Sequence, residues 1–167
     1  MNVNYISLRS GRDTILKRTW QRRMALLLFF VMFSFISANA QVGLTATGGT
    51  PTGSFTTLKG AFDAINAGTH TGAITISITG NTTETATAVL NASGSGSASY
   101  TSIAIAPSGG AARTISGAIT AGSPLIDLNG ADNVTIDGLN SGGDSLTISN
   151  TTASATSGTS TIRFIGG

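Results

Sequence analysis

An all-β chain wound into a solenoid of short strands is the fold class that this sequence predicts, on three observations. After residue 72 the aliphatic residues recur at period two, the spacing of strands that bury one face. Clusters of Gly, Ser and Asn break these runs at short intervals, and such residues tolerate the dihedrals of tight bends. The segment Leu125–Leu139, LIDLNGADNVTIDGL, shows both features together. Its runs Ile126-Asp127-Leu128 and Val134-Thr135-Ile136 each point two aliphatics one way and a polar residue the other. Asn129 to Asn133 bends the chain between them.

Taken from the start, the first 40 residues predict an export signal. Six of the nine basic residues (Arg9, Arg12, Lys17, Arg18, Arg22 and Arg23) precede the uncharged run Met24–Ile36, MALLLFFVMFSFI. Ala38-Asn39-Ala40 then fits a signal-peptidase site with cleavage after Ala40. A run this short falls below the ~20 residues of a mature membrane span. Arg22-Arg23 loosely fits a twin-arginine signal, but the rest of that motif is missing, so general secretion is expected. The membrane is involved only through this signal.

Residues 41–56 read as an extended lead-in with Gly-rich turns. Residues 57–67 form the one convincing helix, with Leu58, Ala61, Phe62 and Ile65 on one stripe. Thr56 or Thr57 caps its start and Gly68 ends it. Its expected task is to cover unpaired strand edges. The strands follow over 73–167, in coils at Ala73–Tyr100, Thr101–Ser123 and Pro124–Ser160, with a fourth starting at Thr161. Leu125, Leu128 and Gly130 recur as Ile162, Ile165 and Gly167, which suggests a repeat. No polar capping segment follows Thr161–Gly167, so the coils are expected to be truncated at the C-terminus.

Charge excludes one class of partner. Beyond Ala40 the chain carries Lys59, Arg113 and Arg163 against Asp63, Glu84, Asp127, Asp132, Asp137 and Asp144, a net charge of about −3. Phosphate binding needs clustered Lys and Arg, so nucleic acid is not an expected partner. With no cysteine, the exported part depends on a regular core and its hydrogen-bond ladders rather than disulfides.

The helix TLKGAFDAINAG, the element LIDLNGADNVTIDGLN, the run SLTISNT and the restart TIRFIGG together resemble the pectin-lyase-like superfamily of right-handed parallel β-helix proteins. More narrowly, they are similar to the N-terminal regions of large bacterial secreted or cell-surface proteins. The resemblance covers about Ser54 to Gly167. It implies a right-handed parallel β-helix of about three coils, preceded by a capping α-helix and a signal-peptide helix. It also implies a secreted or surface location in a Gram-negative bacterium. Family members include polysaccharide lyases, polygalacturonases, esterases and non-catalytic adhesins or stalks, so the fold alone assigns no activity.

The residues offer little chemistry. His70, the one histidine, reads as a solvated loop residue after the helix. No zinc spacing, phosphate loop or nucleophile elbow occurs. Asp127, Asp132 and Asp137, with Asp144 beyond, are weak calcium candidates, better read as serving turns and a solvated face. Asp144-Ser145-Leu146 resembles a bacterial O-glycosylation acceptor. No catalytic residue and no cofactor are expected. The function expected is a non-catalytic exported segment, a stalk or adhesive surface that meets glycans or other cell-surface proteins. The alternative is the N-terminal part of a polysaccharide lyase or glycoside hydrolase whose catalytic coils lie beyond residue 167.

Overall fold

The computed structural model describes residues 39–166. Nearly all of the expected signal peptide therefore lies outside the described residues. Gln41 is tied to two distant segments. Its N–H donates to the Phe55 carbonyl at 3.0 Å, and its own carbonyl accepts from the N–H groups of Thr79 and Gly80.

The elements are β1 (Val42–Gly49), β2 (Thr52–Phe55), α1 (Leu58–Asn66), β3 (His70–Ile78), β4 (Thr82–Thr83), β5 (Ala88–Asn91), β6 (Tyr100–Pro107), β7 (Ala112–Gly117), β8 (Pro124–Asn129), β9 (Val134–Ile136), β10 (Ser145–Asn150) and β11 (Ser160–Ile165). They pair into a five-stranded sheet in the order β2-β1-β3-β6-β9 and two three-stranded sheets, β10-β7-β4 and β11-β8-β5.

This overturns the expected fold class. The right-handed parallel β-helix of about three coils is not what the described residues form. They make three small separate sheets, one of them mixed, and no closed solenoid. The mixed character comes from residues 41–56, expected as an extended lead-in. They form the β1–β2 hairpin, and β1 also pairs antiparallel with β3 from Val42↔Ile78 to Gly49↔His70. β8 and β9, read as two halves of one unit, belong to different sheets. A period-two pattern specifies which residues face a core, but not the partner or direction of each strand.

Register fixes what stacks on what. Ile74, Ile103 and Val134 align across β3, β6 and β9, as do Ile76, Ile105 and Ile136. Thr82, Ile115 and Ile148 align across β4, β7 and β10. In the third sheet Ala88, Ile126 and Ile162 align, then Leu90, Leu128 and Phe164. The last alignment corrects the proposed repeat. Ile162 stands opposite Ile126 rather than Leu125, so the true offset is 36 residues and not 37. One residue of slip turns a strand over, exchanging its buried and outward sets.

The core is aliphatic and shared among the sheets. Ile76, Ile78, Leu90, Ile115, Leu125 and Ile126 are fully buried. Leu58, Ala61, Phe62 and Ile65 of α1 join them with no exposed surface. Each large side chain so buried contributes about 2 kcal/mol. Thr57 is the N-cap, its Oγ1 accepting from Gly60 N–H at 3.1 Å, and Gly68 leaves the helix at φ +73. A second cap comes from far along the chain. Glu84 accepts from the N–H of Leu58 at 2.9 Å and of Lys59 at 3.0 Å, one bond to each carboxylate oxygen.

The other end of α1 meets β5. Asn66 Nδ2 donates to the Val89 carbonyl at 2.8 Å, and its Oδ1 accepts from Asn91 N–H at 3.0 Å. These backbone groups lie on the β5 edge that β8 does not use. One side-chain amide thus supplies the donor and acceptor that a neighbouring strand would offer.

Candidate functional site

The acidic residues from Asp127 to Asp144 are the place to look for chemistry, and each is positioned by a strand or turn already described. Asp127 lies on β8, aligned with Val89 of β5 and Arg163 of β11. It was expected on a solvated face, yet it is only 5% exposed. Arg163 compensates its charge through two bonds, Nε to Oδ1 at 3.2 Å and Nη2 to Oδ2 at 2.6 Å. The bond to Asp127 raises the Arg163 pKa above its usual range, against a smaller lowering by burial. The pair is legible once the offset of 36 is known, since it places Arg163 directly beside Asp127.

Asp132 sits in the bend between β8 and β9. Tyr100, buried at the start of β6, donates its hydroxyl to the Asn91 carbonyl at 2.6 Å. Its phenol pKa is raised above 10.0, first by burial and then by the Asp132 charge. Asp137 serves the next turn, where Oδ1 accepts from Leu139 N–H at 2.8 Å. That bond helps hold Leu139 and Asn140 at positive φ, a conformation that costs non-glycine residues about 1 kcal/mol each. Asp144 accepts from Gly110 N–H at 2.9 Å and Ala111 N–H at 3.3 Å, tying the turn before β10 to the turn before β7.

The structure thus sends the calcium candidates to separate duties: Asp127 to an arginine, Asp137 to a turn amide, and Asp132 to the neighbourhood of Tyr100. Among the described residues, no group of three or more His, Cys, Asp or Glu side chains is placed to hold a metal ion. Arg113 does not join Arg163. Its guanidinium donates twice to the Ser108 carbonyl, through Nε at 3.1 Å and Nη2 at 3.0 Å.

His70 also departs from its sequence expectation, and Glu84 has a role that no sequence expectation covers. His70 is not a solvated loop residue: it begins β3 and is 2% exposed. Its Nδ1 lies 2.6 Å from the Thr50 carbonyl, and the Phe55 ring meets it edge-on at 5.9 Å. Gly53 makes room for it, since a β-carbon there would fall 2.8 Å from Nε2. Glu84, 1% exposed, was not singled out. No local pattern marks it, because its partners lie 25 and 26 residues earlier. Beside it, the Thr82 hydroxyl is buried without a hydrogen-bond partner.

An open cleft of about 260 Å³ lies between the β8–β9 bend and β11, lined by Leu128, Ala131, Asp132, Phe164, Ile165 and Gly166. Phe164 is 74% exposed and Ile165 44%. The cleft offers an apolar wall and one carboxylate, an arrangement suited to contact rather than to acid–base work. No family model, curated protein or solved structure matches this chain.

Proposed function

We propose that residues 41–166 are a non-catalytic, exported structural segment, serving as a stalk or adhesive surface of a bacterial cell-envelope protein. The observation that carries this is the employment of the carboxylates. Asp63 pairs with Lys59, Glu84 caps α1, Asp127 holds Arg163, and Asp137 and Asp144 bond to turn amides. Side chains engaged in this way tie turns, helix and strands of the same chain together. Aligned parallel strands resist bending, and the Ser, Thr and Asn side chains of the loops present donors and acceptors for glycans or neighbouring surface proteins.

Export is supported by the basic and apolar start of the chain and the Ala38-Asn39-Ala40 site that follows it. Expression of the full chain in a Gram-negative host tests both parts. The reading requires a mature N-terminus at Gln41 in the periplasmic or surface fraction. It also requires binding to a glycan panel without formation of unsaturated or shortened sugar products. Turnover of any polysaccharide by the purified chain would sink the non-catalytic assignment, and retention in the cytoplasm would sink the export assignment.

A further inference from the structure

We propose that Gln41 is a modification site, at which the mature chain closes its N-terminal glutamine to the five-membered lactam of pyroglutamate. This deepens the export assignment and rests on it, since cleavage after Ala40 is what turns the Gln41 nitrogen into an α-amine. A glutamine side chain has the length to close an unstrained ring onto its own α-nitrogen. The nitrogen lone pair attacks Cδ, so the N–Cδ bond forms and the Cδ–Nε2 bond breaks. A proton of the α-amine passes to Nε2, which leaves as ammonia. The step consumes no oxidant, reductant or other reactant, and it converts a cationic terminus into a neutral one.

The fold places Gln41 where such a ring has a seat. The residue is half-buried at the head of β1, which enters between β2 and β3. Three backbone bonds of its own hold it there. Its N–H donates to the Phe55 carbonyl at 3.0 Å, and its carbonyl accepts from Thr79 N–H at 2.9 Å and Gly80 N–H at 3.1 Å. The residues on the leader side are held differently. Asn39 and Ala40 are exposed, and the Ala40 carbonyl receives the Thr79 hydroxyl at 3.4 Å, the long limit of a hydrogen bond. Cleavage between Ala40 and Gln41 gives up that weak contact and keeps the partners of residue 41.

Those partners fit a lactam better than an ammonium. The Phe55 carbonyl accepts one N–H. An ammonium brings three protons and a full charge to a half-buried seam, and burying charge without matched partners is costly. The lactam N–H is a single uncharged donor, of the same kind as the peptide N–H it replaces. Space agrees with this. A β-carbon on Gly80 would fall 2.8 Å from Gln41 Cγ and 3.3 Å from Cβ, so both methylenes pass close to bare backbone. These are the ring carbons of the lactam, and the missing side chain at Gly80 leaves them room. Ring closure also removes the free amine that exopeptidases require, at the start of the strand that covers the edge of β3.

Intact-mass and N-terminal peptide mass spectrometry test the site, on mature protein purified after expression of the full chain in a Gram-negative host. The expected product begins at residue 41, is lighter by one ammonia than its free-amine form and resists stepwise N-terminal sequencing. Pyroglutamyl aminopeptidase should release residue 41 at least about 10-fold more slowly from the folded chain than from the denatured one, because the ring is held in the seam. Gln41→Ala, exported and folded alike by circular dichroism, should keep a free amine. A synthetic peptide of residues 41–45 serves as the clock. A mature chain that starts at residue 41 and still carries its free amine when the peptide has cyclised would overturn the lactam and leave export standing. A chain left uncleaved, or cut elsewhere, would overturn both. Blockage of the Gln41→Ala variant would overturn the lactam as well, since alanine cannot close the ring. Equal release from folded and denatured chains would overturn the seat beside Gly80.

Discussion

The two outer sides of the sheets are treated in opposite ways although they share residue types. On the side of β3, β4 and β5, β3 has a hairpin strand beside it, Glu84 after β4 caps the helix N-terminus, and the β5 edge is bonded by the Asn66 amide and the Tyr100 hydroxyl. Among the described residues, nothing covers the same aliphatic columns on the side of β9, β10 and β11, and Phe164 is exposed while Phe62 is fully buried. An aromatic ring contributes by what surrounds it. The contrast shows that edge protection here comes from added elements (one hairpin and one helix) and not from the repeating strands themselves.

The sharpest way to break this comparison is to truncate the two rings. Phe62→Ala should cost about 4 kcal/mol of unfolding free energy, the range for a buried aromatic. Phe164→Ala, measured in the same denaturant titration at dilution, should cost under about 0.5 kcal/mol, as for surface positions. Equal losses would show that the two sides are equally packed.

Glu84→Ala comes next, at about 3 kcal/mol, since it leaves one buried and one half-buried N–H group of α1 without their charged acceptor. Its effect should appear as early helix loss in circular dichroism. A loss below about 0.5 kcal/mol would mean that Thr57 alone sustains the helix start.

Asn66→Ala removes the mock strand partner of β5 and should cost about 1.5 kcal/mol, with faster amide exchange at Asn91. Unchanged exchange there would show that α1 covers the edge without bonding it.

The smallest effect is alkaline. The Tyr100 pKa is raised in the folded state, so its contribution to stability is complete below its unfolded value of about 10 and is lost as pH rises through the folded value. Stability should therefore fall above about pH 10, and Tyr100→Phe should flatten that slope. A slope unaltered by the substitution would place the alkaline sensitivity elsewhere.

Legibility followed the range of the interaction. The stripe Leu58, Ala61, Phe62 and Ile65 lies within eight residues, and all four are buried as its spacing implies. Ile74, Ile76 and Ile78 read equally well, because alternation is a property of a single strand. The repeat was glimpsed but misaligned by one residue, and with it went the Asp127–Arg163 pair. His70 reads as a loop residue from sequence because its burial depends on a hairpin, Val42–Phe55, that lies well outside its own neighbourhood in the chain. Glu84 gave no signal at all, since a carboxylate in TTETA looks the same whether it faces water or a helix.

By itself, then, the sequence determined the strand-forming stretches after residue 72, the helix that follows Thr57, the uneven charge and the scarcity of reactive groups, all of them fixed by composition or by spacing within one element. Tertiary structure alone decided that the strands sort into three separate sheets, one of them mixed, and that carboxylates bind the chain's own amides and arginine. Those outcomes depend on which distant segments meet. The free energy of a strand pairing is shared between its two partners, and a local pattern holds only one of them.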